Sequence, residues 1–162
     1  STAKRPKPQP RTIAVGIVIR CADPGDVPAM HAVYRNSLRG EPQERNFLRL
    51  VRRFPQLCCV ALRGPAVVGY AIGRIHRGFL TARDAAFLFS FAVVDAARGE
   101  GVGRALLQGF RDNARSLGLA ELDLEVERDN AAAAALYESF GLSTIEVPAT
   151  GKPRTRFMAG RL

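Results

Sequence analysis

The sequence contains no run of about 18 uninterrupted apolar residues, the length a membrane-crossing helix needs, and it does not open on a signal-peptide pattern. A soluble, cytoplasmic protein is expected. Cysteines are few, three in 162 residues. Two of them, Cys58 and Cys59, are adjacent, and no CxxC spacing offers a zinc or redox site, so reduced, partly buried thiols and no metal are expected. Acidic residues are scarce too. Fifteen Asp and Glu stand against 24 Lys and Arg, a net charge of +9. Such a surface attracts anions, whether phosphorylated cofactors, nucleic acid or acidic proteins. A Walker A phosphate loop is also missing, because the one Gly-Lys pair, Gly151-Lys152, is followed by Pro153.

What is present fits one globular domain, with 47% hydrophobic and 24% charged residues. Residues 1–11 place Lys4, Arg5, Lys7 and Arg11 among Pro6, Pro8 and Pro10, the composition of a disordered basic arm, and the domain is expected over 12–162. Thr12–Arg20 reads as a first strand. Val27–Phe54 reads as two amphipathic helices with a break at Arg39–Pro42. CCVALR and VVGYAIGRIH flank Gly64-Pro65 as an antiparallel hairpin. Ala85–Val94 is apolar on both faces, as a strand covered on both sides would be. A helix follows from Gly103 to about Leu117. In the next strand Leu122, Leu124 and Val126 alternate with Asp123, Glu125 and Glu127. Asn130 is placed to cap a helix ending at Phe140, and LSTIEV and RTRFMAGR read as a closing hairpin.

The stretch VVDAARGEGVGRALL, Val93–Leu107, is therefore a strand, a glycine turn and a helix start. At a helix N-terminus the first amides have no intrahelical partner and carry the positive end of the dipole, so glycines there let a phosphate come close. The dinucleotide fingerprint GxGxxG fits neither register, since counting from Gly99 ends on Arg104 and from Gly101 on Leu106. What fits is Arg98-Gly99-Glu100-Gly101-Val102-Gly103, which resembles the Q/R-x-x-G-x-G/A loop of the GCN5-related N-acetyltransferase (GNAT) family. LEVERDNAAAAALYESFGL, Leu124–Leu142, looks like the second family signature, with Asn130, Tyr137 and Gly141 in its places. The string LEVxxxNAAxxALYE is moreover similar to the bacterial subfamily that acetylates the N-terminal alanine of a ribosomal protein.

The resemblance implies an α/β fold, a mixed, mostly antiparallel sheet of six to seven strands with helices on both faces and two central parallel strands splayed around acetyl-coenzyme A. It implies that the backbone of Phe91, Ala92, Val93 and Val94 pairs with the pantetheine arm, an amide at Val93 or Val94 polarising the thioester carbonyl. The amides of Arg98, Gly99, Glu100, Gly101, Val102, Gly103 and Arg104 would hold the pyrophosphate, with Asn130 a helix cap that can add a cofactor contact. Tyr137 would protonate the leaving thiolate. It stands one position off the helix face that Ala133, Leu136 and Phe140 define, and can also be an ordinary packed aromatic. Glu125 matches the subfamily's base, although Asp123, Glu125 and Glu127 can equally form a solvated face. His76 is another titratable candidate, and His31 a structural one.

Pro148–Phe157 departs from the subfamily, whose substrate-gripping loop carries a tyrosine, so the acceptor stays open: a protein N-terminus, a lysine or a small amine. A homodimer is compatible with the sequence. Two further classes stand beside an enzyme. A catalytically inactive acyl-coenzyme A sensor would keep the same loop. A nucleic-acid-binding module would want exposed aromatics among basic residues, whereas the phenylalanines cluster in apolar strand segments.

Overall fold

A computed structural model describes residues 11–14, 16–37, 43–146 and 154–162. The proline-rich arm up to residue 10, the helix break at 39–42 and most of the Pro148–Phe157 segment lie outside the described residues. Arg11, expected to end the arm, opens the first strand.

The single first strand expected over Thr12–Arg20 is two. Gly16 takes φ 83°, a left-handed turn that a side-chain-bearing residue resists, and folds β1 (Arg11–Ala14) back antiparallel on β2 (Ile17–Cys21). Asp23 and Asp26 form a capping box at the next turn, and Arg20 forks onto Asp26 at 2.6 and 2.8 Å, fixing the entry into α1 (Val27–Ser37). α2 (Glu44–Arg53) packs beside α1. The Gly64-Pro65 hairpin joins β3 (Cys58–Arg63) to β4 (Ala66–Arg77), and β4 pairs antiparallel with β5 (Asp84–Val93). Then come α3 (Val102–Ser116), β6 (Glu121–Glu127), α4 (Ala131–Ser139), β7 (Ser143–Ile145) and β8 (Thr155–Arg161).

Among the described residues the strands form one sheet in the order β1-β2-β3-β4-β5-β6-β8-β7, eight rather than six or seven because the first splits. All neighbours are antiparallel except β5 and β6, which α3 connects as a crossover. Among the described residues each face carries two α-helices. Met30, Val33, Phe47 and Val51 of α1 and α2 bury Val60, Tyr70 and Ile72, while Leu107 and Phe110 of α3, Tyr137 of α4 and Phe140 just past it bury Leu88, Leu122 and Leu124. Cys58 and Cys59 are buried thiols, and burial pushes Cys58 up to about 12 and Cys59 further. The thiols serve packing.

Two features of β5 set up the site. Its register against β4 jumps from Ile72↔Ser90 to Gly73↔Leu88, leaving Phe89 as an extra, bulged residue. Its pairing with β6 covers Ala86↔Leu122, Phe87↔Asp123 and Leu88↔Leu124 and stops there, although both strands run on. A bulge bends the strand that carries it, so β5 leaves β6 where Phe89 is inserted. Phe89 is consequently exposed, against the expectation that the whole of this strand would be covered on both sides. Gly73 permits the arrangement, since a Cβ there would run into the Phe110 ring and lie 3.0 Å from the Phe87 carbonyl oxygen. Gly73→Ala should therefore lower stability by about 1–3 kcal/mol, the usual effect of overpacking, read as a lower urea midpoint at unchanged slope.

Candidate functional site

Past Leu88 and Leu124 the facing edges of β5 and β6 have no strand between them among the described residues, while β5 stays bonded to β4 and β6 to β8. The amides that line this gap can be assigned from strand alternation. Val94 donates to the Val68 carbonyl at 2.9 Å, so its amide is spent on β4 and cannot be the one that polarises a ligand. The amides of Val93 and Phe91, alternate positions on β5, turn instead toward the gap. Ala92, like Val94, points its amide at β4.

The glycine turn closes one end of the gap. Gly99 and Gly101 take φ 78° and 82° with open space where a Cβ would stand. Gly101 caps α3 without a side chain, so the amides of Val102, Gly103 and Arg104 lack intrahelical acceptors and no side chain substitutes for one. Gly103 lies over the splayed strand, where a Cβ would be 3.4 Å from the Phe91 ring. One of the expected amide contacts needs correction, and two side chains of the turn are already engaged. The Arg98 amide is taken by the Asp95 carbonyl at 3.1 Å, leaving its exposed guanidinium, 3.1 Å from Asp95, as its means of meeting an anion. The Glu100 carboxylate pairs with Arg63 and can offer only its amide. The Arg104 side chain turns toward α4, donating to Ser139 at 3.1 Å and lying over the Phe140 ring.

Tyr137 is not one position off the buried face of α4. It is part of that face, with Ala134, and its ring lies 6.3 Å from Phe91 on the splayed part of β5. Burial alone pushes its phenol up to about 12. Asn130 is the helix cap it was expected to be, its Oδ1 accepting from Ala133 at 3.1 Å. Glu125 is exposed on β6 one residue beyond the last β5–β6 rung, held by the Thr155 hydroxyl. Tyr137 and Glu125 thus stand at the same gap on opposite faces of the sheet, one with the α3–α4 core and the other on the α1–α2 side. His31 is structural, packed edge-on to Phe47 and 3.7 Å from Glu44.

The acidic face of β6 is only partly solvated. Asp123 and Glu121 are fully buried. Asp123 accepts from His76 at 2.7 Å and from the Phe79 amide at 3.2 Å. Glu121 accepts from the Leu80 amide, the Thr81 amide at 2.7 Å and the Thr81 hydroxyl at 2.6 Å. Two carboxylates thereby hold three consecutive amides of the loop that joins β4 to β5. Gly78 is required there because a Cβ would overlap the Glu121 carboxyl. Burial, reinforced by Glu121 and opposed by His76, pushes Asp123 up to about 6. Although burial opposes it, the neighbouring Asp123 and hydrogen bonds from Thr81 and the loop amides hold Glu121 down at about 2. Sequence reading placed His76 among titratable candidates but missed its partner. The signal available was four carboxylates at alternate positions, Glu121, Asp123, Glu125 and Glu127, in a chain short of acid.

The profile of the Acetyltransferase (GNAT) family matches residues 27–142. The Escherichia coli [ribosomal protein bS18]-alanine N-acetyltransferase is 43% identical over 72 residues, 44% of this chain and 49% of that protein, so the match spans about half the length of this curated relative. The crystal structure of the ribosomal-protein-S18-alanine N-acetyltransferase from Escherichia coli superimposes with a TM-score of 0.73 at 28% identity, covering 90% of this chain and 93% of that one. The Salmonella typhimurium protein yncA, solved with acetyl-CoA, gives 0.74 at 26% identity, covering 90% and 94%.

The paired carboxylates have a signature in stability. An acid whose folded pKa is raised binds its proton more tightly when folded, so Asp123 weakens the fold as pH rises from its ordinary 3.8 to about 6. Relative to Asp123→Asn, which cannot ionise, the native chain should lose on the order of 2 kcal/mol between pH 4 and pH 6.5 in urea titrations. A difference that stays flat over that window would contradict the assignment.

Proposed function

The chain belongs to the Acetyltransferase (GNAT) family, and on that premise we propose that it is an N-acetyltransferase that moves acetyl from acetyl-CoA to a primary amine by direct attack on the thioester. The observation that carries the reading is the meeting, at one gap, of an uncapped helix N-terminus at Val102–Arg104 with a strand edge whose Val93 and Phe91 amides have lost their neighbour. Amides facing a gap of this shape suit a ligand that is anionic at one end and peptide-like along its length, and a diphosphate joined to a pantetheine arm is such a ligand. The acetyltransferase named for bS18 alanine and the acetyl-CoA-bound yncA support the same class.

When bound, acetyl-CoA supplies an electrophilic carbonyl and a thiolate leaving group. The amides of Val102, Gly103 and Arg104 would hold its phosphates, with the Arg98 guanidinium adding charge. The Val93 amide donates a hydrogen bond to the carbonyl oxygen, which strengthens as charge develops there. Tyr137, kept protonated across the neutral range by its burial, donates its proton to the sulfur. Glu125, exposed at the mouth of the gap, takes the proton that the acceptor ammonium must lose before it can attack. The acceptor is a protein N-terminus, a lysine or a small amine. We place the reaction in the cytoplasm.

A thermal-shift comparison tests the premise, because a ligand that binds only the native state raises the apparent melting temperature. Acetyl-CoA should raise it and NAD and ATP should not, whereas equal responses to all three would leave only nonspecific anion binding. Tyr137→Phe should keep the acetyl-CoA shift and lose about 100-fold in kcat, measured as thiol release with an amine panel. Unchanged kcat would remove Tyr137 from the chemistry.

A further inference from the structure

Among the described residues three large apolar side chains are conspicuously exposed: Phe79 at 40%, Leu80 at 44% and Phe89 at 47%. All three lie around Glu125. Phe89 and Glu125 each follow the last rung of the β5–β6 ladder, Leu88↔Leu124, and by strand alternation share the face that carries Phe87 and Asp123. On the other side of Glu125, Phe157 is its register partner on β8 and meets the Phe79 ring edge-on at 5.2 Å. Leu80 is the next residue of the same loop.

That loop is held firmly. Its amides at Phe79, Leu80 and Thr81 are bound by the buried Asp123 and Glu121, and its ends close on each other through Gly78 to Arg83 at 2.8 Å and Ala82 to Gly78 at 3.1 Å. The apolar tip is therefore displayed on an anchored turn. An anchored turn that keeps a Phe and a Leu in water needs something to cover them.

We propose that the loop of residues 78–83 is a wall of the acceptor site, and that the acceptor is a polypeptide N-terminus with an apolar third residue, which packs on Phe79 and Leu80 while its first side chain meets Phe89. The proposal rests on Glu125 receiving the amine, as in the function proposed above. Adding the spacing of register partners on a sheet to the ring contact puts Phe79 no farther than about 10 Å from Glu125, within reach of three residues of extended peptide. A small amine held at Glu125 would leave that surface uncovered. A carboxylate with Phe157 beside it and Phe89 across the gap complements an α-ammonium followed by apolar side chains, and it repels a nucleic-acid backbone.

The test uses acetyl-CoA and peptides that share their first two residues and carry Leu or Ser third, with thiol release as the readout. Native protein should prefer the Leu peptide by about tenfold in kcat/KM, mainly through KM, and in Phe79→Ala/Leu80→Ala that ratio should fall to within about twofold. Leu80→Ser, a change at an exposed tip, should give part of the same fall, and the melting temperature of each variant reports folding separately. Equal use of the two peptides by native protein, or an undiminished ratio in the double variant, overturns the proposal. So does acetylation of small amines with no peptide accepted, which would leave the acetyltransferase reading standing. A chain whose melting temperature ignores acetyl-CoA would overturn both.

Discussion

The structure depends on a ladder that stops. β5 and β6 share three rungs and then part at Leu88 and Leu124, with the bulged Phe89 as the first residue beyond. Each amide left facing the gap loses a backbone partner that a continuous sheet would supply, and such a group is unfavourable unless water or a ligand replaces it. The eight-stranded sheet tolerates this because the other edge of each strand is fully engaged, β5 by β4 and β6 by β8. The opening is therefore fixed by its outer neighbours, and a molecule entering it meets preset donors rather than groups that must reorganise.

Along β6 the same residue type does different work at successive positions of one face. Glu121 and Asp123 lie beneath the β4–β5 loop and are consumed by its amides, by Thr81 and by His76. Glu125, two residues on, lies past the last rung and keeps its carboxylate at the surface beside Thr155. Burial decides the division. A buried carboxylate must be satisfied by donors, so it is committed to structure, and only the exposed one retains the capacity to receive a substrate proton.

Much of the fold could be read from the sequence because it is written in short-range terms. The Gly64-Pro65 hairpin, the alternation of Leu122, Leu124 and Val126, the Asn130 cap and the glycine turn before α3 each follow from a few adjacent residues. What escaped reading is long-range. Gly16 looked like part of a strand because β-branched neighbours surround it, and only its positive φ reveals a turn. Which amide faces the gap, Val93 or Val94, depends on the partner strand, and the bond from Val94 to Val68 settles it. The alternation of Asp123 and Glu125 is symmetrical in sequence, yet a loop more than 40 residues earlier buries one and leaves the other exposed. The spacing of Ala133, Leu136 and Phe140 sets Tyr137 one helical position off the buried face, because Phe91, its neighbour at 6.3 Å, lies far from it in the chain.

The position of Tyr137 joins these lines. A phenol in water near its ordinary pKa of 10 would be a common hydrogen-bond partner; burial between α4 and the splayed end of β5 pushes it up to about 12 and keeps the proton in place. An acid so weak is a poor donor to a neutral sulfur, and it keeps its proton until the bond to carbon breaks and the negative charge of the thiolate develops. Phe91 and Tyr137 pack together on the α3–α4 side, and Glu125 stands on the other face. Acid and base are thereby separated by the sheet itself. In the proposed reaction a proton can be taken from the incoming amine on one face and another given to the leaving group on the other, and the two residues are kept from neutralising each other.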